Sequence, residues 1–387
     1  MARPQFTFGQ PGFPGIPSSW FNEPENHARK WKVSFNGDLA YNQRLAVSIR
    51  AEFPVPKLEL RKGTLYFIAR LAGGSGRFFP GYDYASLDLR TLPPRSDRIN
   101  WHTQIFVRAG TYQAMLLVYD IGNNQHYLWR QTVTVEEPKV LPELDRNMPA
   151  VEFVDREQHP IPTNEYLPID VKRPLRIDVV LNLTNDMQMS VEPTFFSRLR
   201  QYSVEGALQG SVVMLSQLQP DNGCVRVSAV DIIHLQVALD QAPADPNTNW
   251  TAVRETLNKN RDAITVDVKT LEGRHKAREF FSRFIDKVVS DTSGCGSLAE
   301  HTDRAFIIVS DSLLFPNHSY EEPLSAPAQV GHKFFHFRVT SHSIPTWDQV
   351  ARMLSPLHPR RFEIDSPMDL RKAVAKMIED LEGAVKE

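Results

Sequence analysis

Cysteine is nearly absent: the 387 residues contain two, Cys224 and Cys295. That number excludes a disulfide scaffold and an all-cysteine zinc site. Glycine is also scarce, 19 residues against 28 prolines, the reverse of average usage at about 7% and 5%. Stiff turns and extended connections are expected from that balance. No charge of one sign dominates, with 44 Lys plus Arg against 46 Asp plus Glu and a formal net charge of -2. General nucleic-acid binders usually carry a basic excess or stripe, so that class is not expected. Mean hydropathy is -0.35, and no stretch approaches the roughly 18 uncharged apolar residues of a membrane span. Behind Met1-Ala2-Arg3-Pro4 there is no apolar run of the kind that heads a secretory signal. Two readings follow: a cytoplasmic protein, or a periplasmic or secreted one from which a signal was trimmed.

The rest of the composition is globular, with 41% hydrophobic, 10% aromatic and 23% charged residues. The length is roughly two to three times a domain of about 150 residues, so more than one core is expected. Residues 1–30 interleave Pro4, Pro11, Pro14, Pro17 and Pro24 with Gly9, Gly12 and Gly15. They present no periodic apolar face and read as an extended or mobile arm. From 31 to 137 the pattern is short alternating runs separated by turn residues, such as Leu45 to Ile49, Leu65 to Ala69 and Tyr112 to Tyr119. That predicts an all-β sandwich of two sheets. Within it, Ala109-Gly110-Thr111-Tyr112-Gln113-Ala114 resembles the start of strand F in immunoglobulin-like and fibronectin-like domains, where a tyrosine anchors the corner with its hydroxyl. Ala114 stands where antibody domains carry a cysteine, so the inter-sheet disulfide is missing.

The loop Gly73 to Tyr84 places Phe78, Phe79, Tyr82 and Tyr84 on a glycine-rich segment. It is not a phosphate loop, because no Gly-Lys-Ser/Thr follows. One reading is an aromatic recognition surface; the other folds the rings back over the sandwich edge. Residues 138–174 are proline-rich and read as a linker with a possible edge strand at Val151 to Val154.

From 175 to 387 strands alternate with helical patterns. Leu175 to Leu183 reads as a buried-strand run and Ala305 to Val309 as a continuous apolar one. Val225 to Ala229 and Leu235 to Leu239 read as a hairpin around Asp231. Helices are predicted over Pro193 to Leu218, Trp250 to Leu257, His275 to Val289, and Thr346 to Leu354 with a Thr346/Gln349 capping box. Phe334 to Val339 and Arg361 to Ile364 are the remaining strands. A last helix takes Ser366 as N-cap and Pro367 at its first position. This order predicts a doubly wound α/β domain, a mostly parallel sheet covered on both faces, with one antiparallel edge strand.

The order of elements from about Leu175 to Val385 resembles a von Willebrand factor A domain. Ile177 to Thr184 looks like its first strand, Val225 to Leu239 its hairpin, and Phe306-Ile307-Ile308-Val309-Ser310-Asp311-Ser312 the strand that ends in Thr-Asp-Gly in the family. Coupled to an N-terminal β-domain, the arrangement is similar to the divergent VWFA-related group known from Acidobacteria. The resemblance implies a partner-binding site at the C-terminal edge of the sheet, with Mg²⁺ held by an Asp-x-Ser-x-Ser motif plus a Thr and an Asp. Those slots fall on Thr184, Asp186 and Gln188, then Thr270 and Asp311. The first Asp and both serines of the motif are therefore replaced, and a degenerate site without working metal is expected.

Other chemistry is sparse. There is no His-Glu-x-x-His, no Gly-x-Ser-x-Gly and no dinucleotide glycine fingerprint. His332, His336 and His342 lie close in sequence, and His332 and His336 share one strand face, from which both could reach one metal ion. Zinc wants at least three protein ligands, so structural or surface roles are expected for them. The reading that results is a non-enzymatic, adhesion-type protein of bacterial and secreted character, with no cofactor and an unidentified protein partner. The alternatives are an Mg²⁺-dependent ligand binder and a hydrolase with an atypical site. In the order implied by the resemblance, Cys224 and Cys295 lie at the N-terminal edge of the sheet, on strands that flank the first. They are either a bridge closed by the glycine-flanked loop around Cys295 or two buried thiols.

Overall fold

The structure is a computed structural model. It describes residues 17–27, 30–55, 63–92, 98–141, 150–153, 167–184, 206–241, 248–262, 276–293, 295, 303–313, 324, 332–339 and 348–383. The chain forms two compact units, Met1–Ala40 with Arg44–Pro160, and Tyr41–Gln43 with Ile161–Glu387.

The first unit is built from β1 (Lys32–Leu39), β2 (Leu45–Pro54), β3 (Thr64–Gly73), β4 (Asp83–Asp88), β5 (Arg98–Val107), β6 (Gly110–Asp120), β7 (Gln125–Val135) and the short β8 (Val151–Glu152). They make two antiparallel four-stranded sheets, β1-β2-β5-β8 and β4-β3-β6-β7. Alternate residues of both sheets share one core, including Val47, Ile49, Phe53, Phe67, Leu71, Trp101 and Leu116. Phe67 stacks on both Phe53 and Trp101. The Tyr112 hydroxyl donates to the Arg108 carbonyl at 2.8 Å, four residues upstream. This closes the turn into β6 as a tyrosine corner does.

Residues 17–27 fell within the expected mobile arm, but they are docked. A 3-10 turn, Ser18–Asn22, places Phe21 in a cluster with Ile68, Met115, Leu117 and Leu128 on the other face of the β4-β3-β6-β7 sheet. Asn26 bridges Leu128, and the Arg130 guanidinium donates to the carbonyls of Phe21 and Glu23. The proline pattern hid this because the anchors are two adjacent aromatics, Trp20 and Phe21, and not a periodic face.

The second unit contains β9 (Leu167–Ile169), β10 (Leu175–Asn182), α1 (206–215), β11 (Leu218–Pro220), β12 (Gly223–Asp231), β13 (Gln236–Asp240), α2 (Trp250–Asp262), α3 (Ala277–Ser290), β14 (Asp303–Asp311), β15 (His332–Val339), α4 (Gln349–Met353), β16 (Arg360–Ile364) and α5 (Pro367–Gly383). Six strands form a mixed sheet in the order β13-β12-β10-β14-β15-β16, with only β13 antiparallel to its neighbour. β9 and β11 pair as a separate two-stranded sheet.

The expected doubly wound α/β class is corrected by this inventory. The described chain is mostly β, with two antiparallel sheets, a mixed sheet and a small fourth sheet. Winding both faces needs a helix at each crossover. β12 to β13 is instead a hairpin, and the β14 to β15 connection has no helix among the described residues. Part of the expected linker is strand, because Leu167 and Ile169 bury their side chains and pair with β11. The helix expected over 193–218 is described only at 206–215. At α4 the expected Thr346 box is replaced: the N-cap is Asp348, whose carboxylate accepts from the Ala351 N–H at 3.1 Å. Thr346 itself lies outside the described residues. The α5 start follows the sequence, with the Ser366 hydroxyl accepting from the Asp369 N–H and Leu370, Val374, Met377 and Leu381 buried.

The mixed sheet has two unlike faces. One is apolar along its length, with Ile177, Val179, Leu181, Ile307, Val309, Phe335 and Phe337 nearly inaccessible. The other carries an apolar belt of Val180, Phe306, Ile308 and Phe334, covered by Phe281, Phe284 and Ile285 of α3. Towards the N-terminal ends of the strands this face is charged. Asp178 accepts from Arg176 at 2.7 Å and from Arg304 at 2.8 Å. Arg226 pairs with Asp240 at 2.6 Å and with Asp291. Cys224 and Cys295 form a disulfide beside this cluster, with Cα atoms 5.8 Å apart. A closed loop of that length stabilises by about 4 kcal/mol in the chain-entropy model. Gly223, just before the bridge, is required by space, since a Cβ there would collide with the Leu175 carbonyl oxygen.

Two outcomes follow. Tyr112→Phe removes the corner hydrogen bond and lowers stability by about 1 kcal/mol in urea unfolding, with little change in slope. Burial alone would raise the Asp291 carboxyl, but the Ser293 N–H, the Arg176 guanidinium and the Ser293 hydroxyl outweigh it and hold it well below the usual carboxylate range. A carboxyl with a depressed folded value stabilises above its unfolded value of about 3.9 and loses that contribution as pH falls. The unfolding midpoint therefore drops below about pH 4, and Asp291→Asn flattens that drop.

Candidate functional site

The C-terminal ends of the parallel strands are the open edge at which such sheets usually receive ligands. Three adjacent strands bring Asn182 of β10, Ser310 of β14 and His336 of β15 to the same face there, because Ile308 is in register with His336 and Leu181 with Val309. All three side chains are fully buried. The Asn182 Oδ1 accepts from the Thr184 N–H at 3.1 Å. Ser310 Oγ and His336 Nε2 are 2.9 Å apart. Among the described residues, Asn182 Nδ2 and His336 Nδ1 have no hydrogen-bond partner.

On the β12 side, the Thr184 hydroxyl accepts from the Ile232 N–H at 2.8 Å and lies 3.3 Å from Asp231 Oδ1. Asp231 also holds His234, through its backbone N–H at 3.2 Å and its Nδ1 at 2.5 Å. On the β15 side, the Arg338 guanidinium donates to Ser312 Oγ at 2.8 Å and to Glu363 at 3.1 Å. It is also ion-paired with Asp348 at 2.9 Å. Burial lifts the Asp348 carboxyl above its ordinary value against the opposing pull of the Ala351 N–H and Arg338.

Ser310 and His336 give a serine within reach of an imidazole, the geometry of a nucleophile and its base. Burial first, then the charges of Arg361 and Arg338, push the His336 imidazole down to about 3. A base that weak is poorly matched to proton abstraction near neutrality. Among the described residues no third group orients Nδ1. The Ser310–His336 hydrogen bond ties β14 to β15.

Of the positions expected to receive a metal, Thr184 and Asp311 are described, at the ends of the neighbouring strands β10 and β14. Thr184 is engaged with the turn after β12. Asp311 is buried, and its Oδ1 accepts from the Ser312 N–H at 2.7 Å. Asp186, Gln188 and Thr270 lie outside the described residues. No group of three or more metal-ligating side chains occurs among the described residues.

The two described histidines of the 332–342 stretch do not share an ion. Four residues along a strand separate them by about 13 Å. His336 is taken by Ser310, and His332 lies near the Phe306 ring at 5.6 Å. His342 is outside the described residues. The aromatic loop mostly folds back: Phe79 packs on the sandwich core, and Phe78 lies under Arg70 at 4.2 Å and beside Phe21. Tyr84 joins the Phe21 cluster. Tyr82 stays 44% exposed, the one ring of the four that the fold leaves outward.

The pairing of Ser310 with His336, and the place of Asn182 beside them, escaped the sequence reading because they depend on cross-strand register. The pairing of His234 with Asp231 carried a local signal, since a carboxylate three residues before a histidine at a hairpin end can cap it.

No family model matches this chain, and no curated protein matches it. Among solved structures, the sulfur carrier protein SoxY from Chlorobium limicola f thiosulfatophilum is 12% identical, covering 31% of this chain and 92% of that one, with a TM-score of 0.18. Bacteroides uniformis beta-glucuronidase 2 is 8% identical over 73% of this chain and 34% of that one, with a TM-score of 0.20. A family 123 glycoside hydrolase from Clostridium perfringens is 10% identical over 85% of this chain and 67% of that one, with a TM-score of 0.23. This chain thus spans about a third of the glucuronidase. Likenesses at these scores carry no argument about fold or chemistry.

The buried imidazole has a measurable consequence. His336 remains neutral across pH 5 to 8, so its ring signals in histidine-selective NMR do not shift over that range. A folded value below the unfolded value of about 6.5 means the unfolded chain binds the proton first. Stability contributed by neutral His336 is present above about pH 6.5 and declines as pH falls towards about 3. A His336 titration midpoint between 6 and 7 would contradict the burial that defines this edge.

Proposed function

We propose that this chain is a non-enzymatic protein-interaction module of adhesion type, which recognises its partner along the C-terminal edge of the mixed sheet without a metal ion. The observation that carries this reading is the engagement of Thr184. At the slot where the resemblance asks for a metal ligand, its oxygen accepts from the Ile232 N–H at 2.8 Å and from the Ile233 N–H at 3.4 Å. An oxygen with both lone pairs directed at backbone donors is a poor ligand for Mg²⁺, which demands near-ideal octahedral geometry. The turn of Asp311 towards the Ser312 N–H supports the same reading.

The non-enzymatic part rests on the depressed basicity of His336 and on an Nδ1 that no described residue orients. Groups for recognition at this edge are His234, with 29% of its side chain exposed, and Glu363, with 50%. Export to an oxidising compartment is proposed from the disulfide, since such bonds are rare in cytosolic proteins.

Calorimetric titration with millimolar MgCl₂ is expected to give no binding heat, and capture of the native partner is expected to withstand chelation by EDTA. His234→Ala and Glu363→Lys are expected to weaken that capture about tenfold each. Mg²⁺ binding that disappears in Asp311→Asn, with partner capture lost in EDTA, would falsify the metal-free reading.

A further inference from the structure

The charged cluster on the mixed sheet takes much of its neutralisation from one short segment. Asp291 follows α3 directly, as its C-cap. Its carboxylate accepts from Arg176 at 2.9 Å and from Arg226. Arg176 also donates to the Ser293 carbonyl and, at 3.0 Å, to the Ser293 hydroxyl. Arg304 donates to the carbonyls of Val289 at 3.0 Å and of Asp291. Ser293 secures the carboxylate in turn, its N–H donating to Asp291 Oδ1 at 2.9 Å. Three arginines on adjacent strands are thus held by residues 289–293.

The segment ends at Cys295, whose disulfide partner is Cys224. Cys224 is in register with Arg176 and lies two residues before Arg226. The covalent bond therefore joins the segment to the strand whose arginine it neutralises. With the segment in place, Arg176, Arg226 and Arg304 face Asp178, Asp240 and Asp291. Without Asp291, three arginines face two carboxylates. The fourth cation near the cluster, Lys287, pairs with Asp240 at 3.2 Å and supplies no compensation.

We propose that the Cys224–Cys295 bridge is a redox latch on this internal counter-ion. In the oxidised chain it holds Asp291 and Ser293 against the arginines. Reduction by a dithiol transfers two electrons and two protons: the S–S bond breaks, each sulfur becomes a thiol, and the dithiol becomes a disulfide. Asp291 and Ser293 then lift from the sheet and leave the arginine cluster with an excess positive charge. Both cysteines are almost inaccessible, so the segment must open before the reductant can attack. The ion pairs to Asp291 thereby set how readily the bridge is reduced.

A bridge that acted only by restricting the unfolded chain would leave the folded segment unchanged. Hydrogen exchange of the full-length protein separates the two roles. On reduction with dithiothreitol, the Ser293 amide is expected to exchange at least tenfold faster while the Ile177 and Val179 amides keep their rates. Unchanged exchange at Ser293 overturns the proposal. A second measurement needs no cysteine variant and reads the coupling in reverse. In Asp291→Asn with the bridge intact, the rate of reduction by dithiothreitol is expected to rise at least tenfold over wild type. An equal rate overturns the proposal as well, because the bridge would then be independent of the counter-ion.

Discussion

Asp178 is the constraint around which the second unit is arranged. It is a carboxylate in the central part of a sheet, 1% exposed, on the strand that pairs with both β12 and β14. An unpaired charge at that depth would cost several kcal/mol. It is tolerated because Arg176 and Arg304 reach it from adjacent positions of the register. Arg304 directs further donors to the carbonyls of Val288 and Val289 at the end of α3, and Arg176 directs its own to Asp291 and the Ser293 hydroxyl just beyond it. The position of α3 over the sheet is thus fixed twice. Phe281, Phe284 and Ile285 bury against the apolar belt, and the helix C-terminus, where partial negative charge gathers, meets the guanidinium of Arg304.

This divides the polar face of the sheet into zones with different physical characters. The N-terminal zone is charged, internally paired and covalently closed. The C-terminal zone has the amide, hydroxyl and imidazole of Asn182, Ser310 and His336 at its centre, flanked by Asp231 on one side and by Arg338 with Asp348 and Glu363 on the other. Between them lies the apolar belt. Buried ion pairs with one partner removed are strongly destabilising, so the charged zone is costly to rearrange. The C-terminal zone contains Asn182 Nδ2 and His336 Nδ1, without partners among the described residues, and each such group raises the energy of the present arrangement by its lost hydrogen bond. Of the two ends, the C-terminal one has less holding it in a single state, as recognition surfaces commonly do.

The features legible in the sequence were those written in local pattern. The tyrosine corner needs Tyr112 after a turn, and α5 needs Ser366 before Pro367; both are short-range signals tied to backbone geometry. α3 was legible from a seven-residue apolar stripe that its packing then used. What escaped depends on register. Read along the chain, Leu175 to Leu183 is a buried run in which Arg176 and Asp178 look like interruptions. Only the pairing with Arg304 and Arg226 turns them into its organising element. The same holds for Ser310 and His336, which are 26 positions apart. The α4 cap failed for a local reason. Thr346 and Asp348 are both capping residues, and the carboxylate that accepts from Ala351 is the one that starts the helix.

The disputed element, the alternation of strand and helix, shows why periodicity overstates a class. Apolar runs such as Ala305 to Val309 report burial on both faces of a strand. They do not report what covers those faces. Here one face is covered by α3 and α4 over its apolar belt, while its polar groups hydrogen-bond to one another and to the end of α3. The polar residues inside the apolar runs, Arg176, Asp178, Ser228 and Ser310, were therefore the more informative part of the pattern, since each could be buried only with a partner on the next strand or loop.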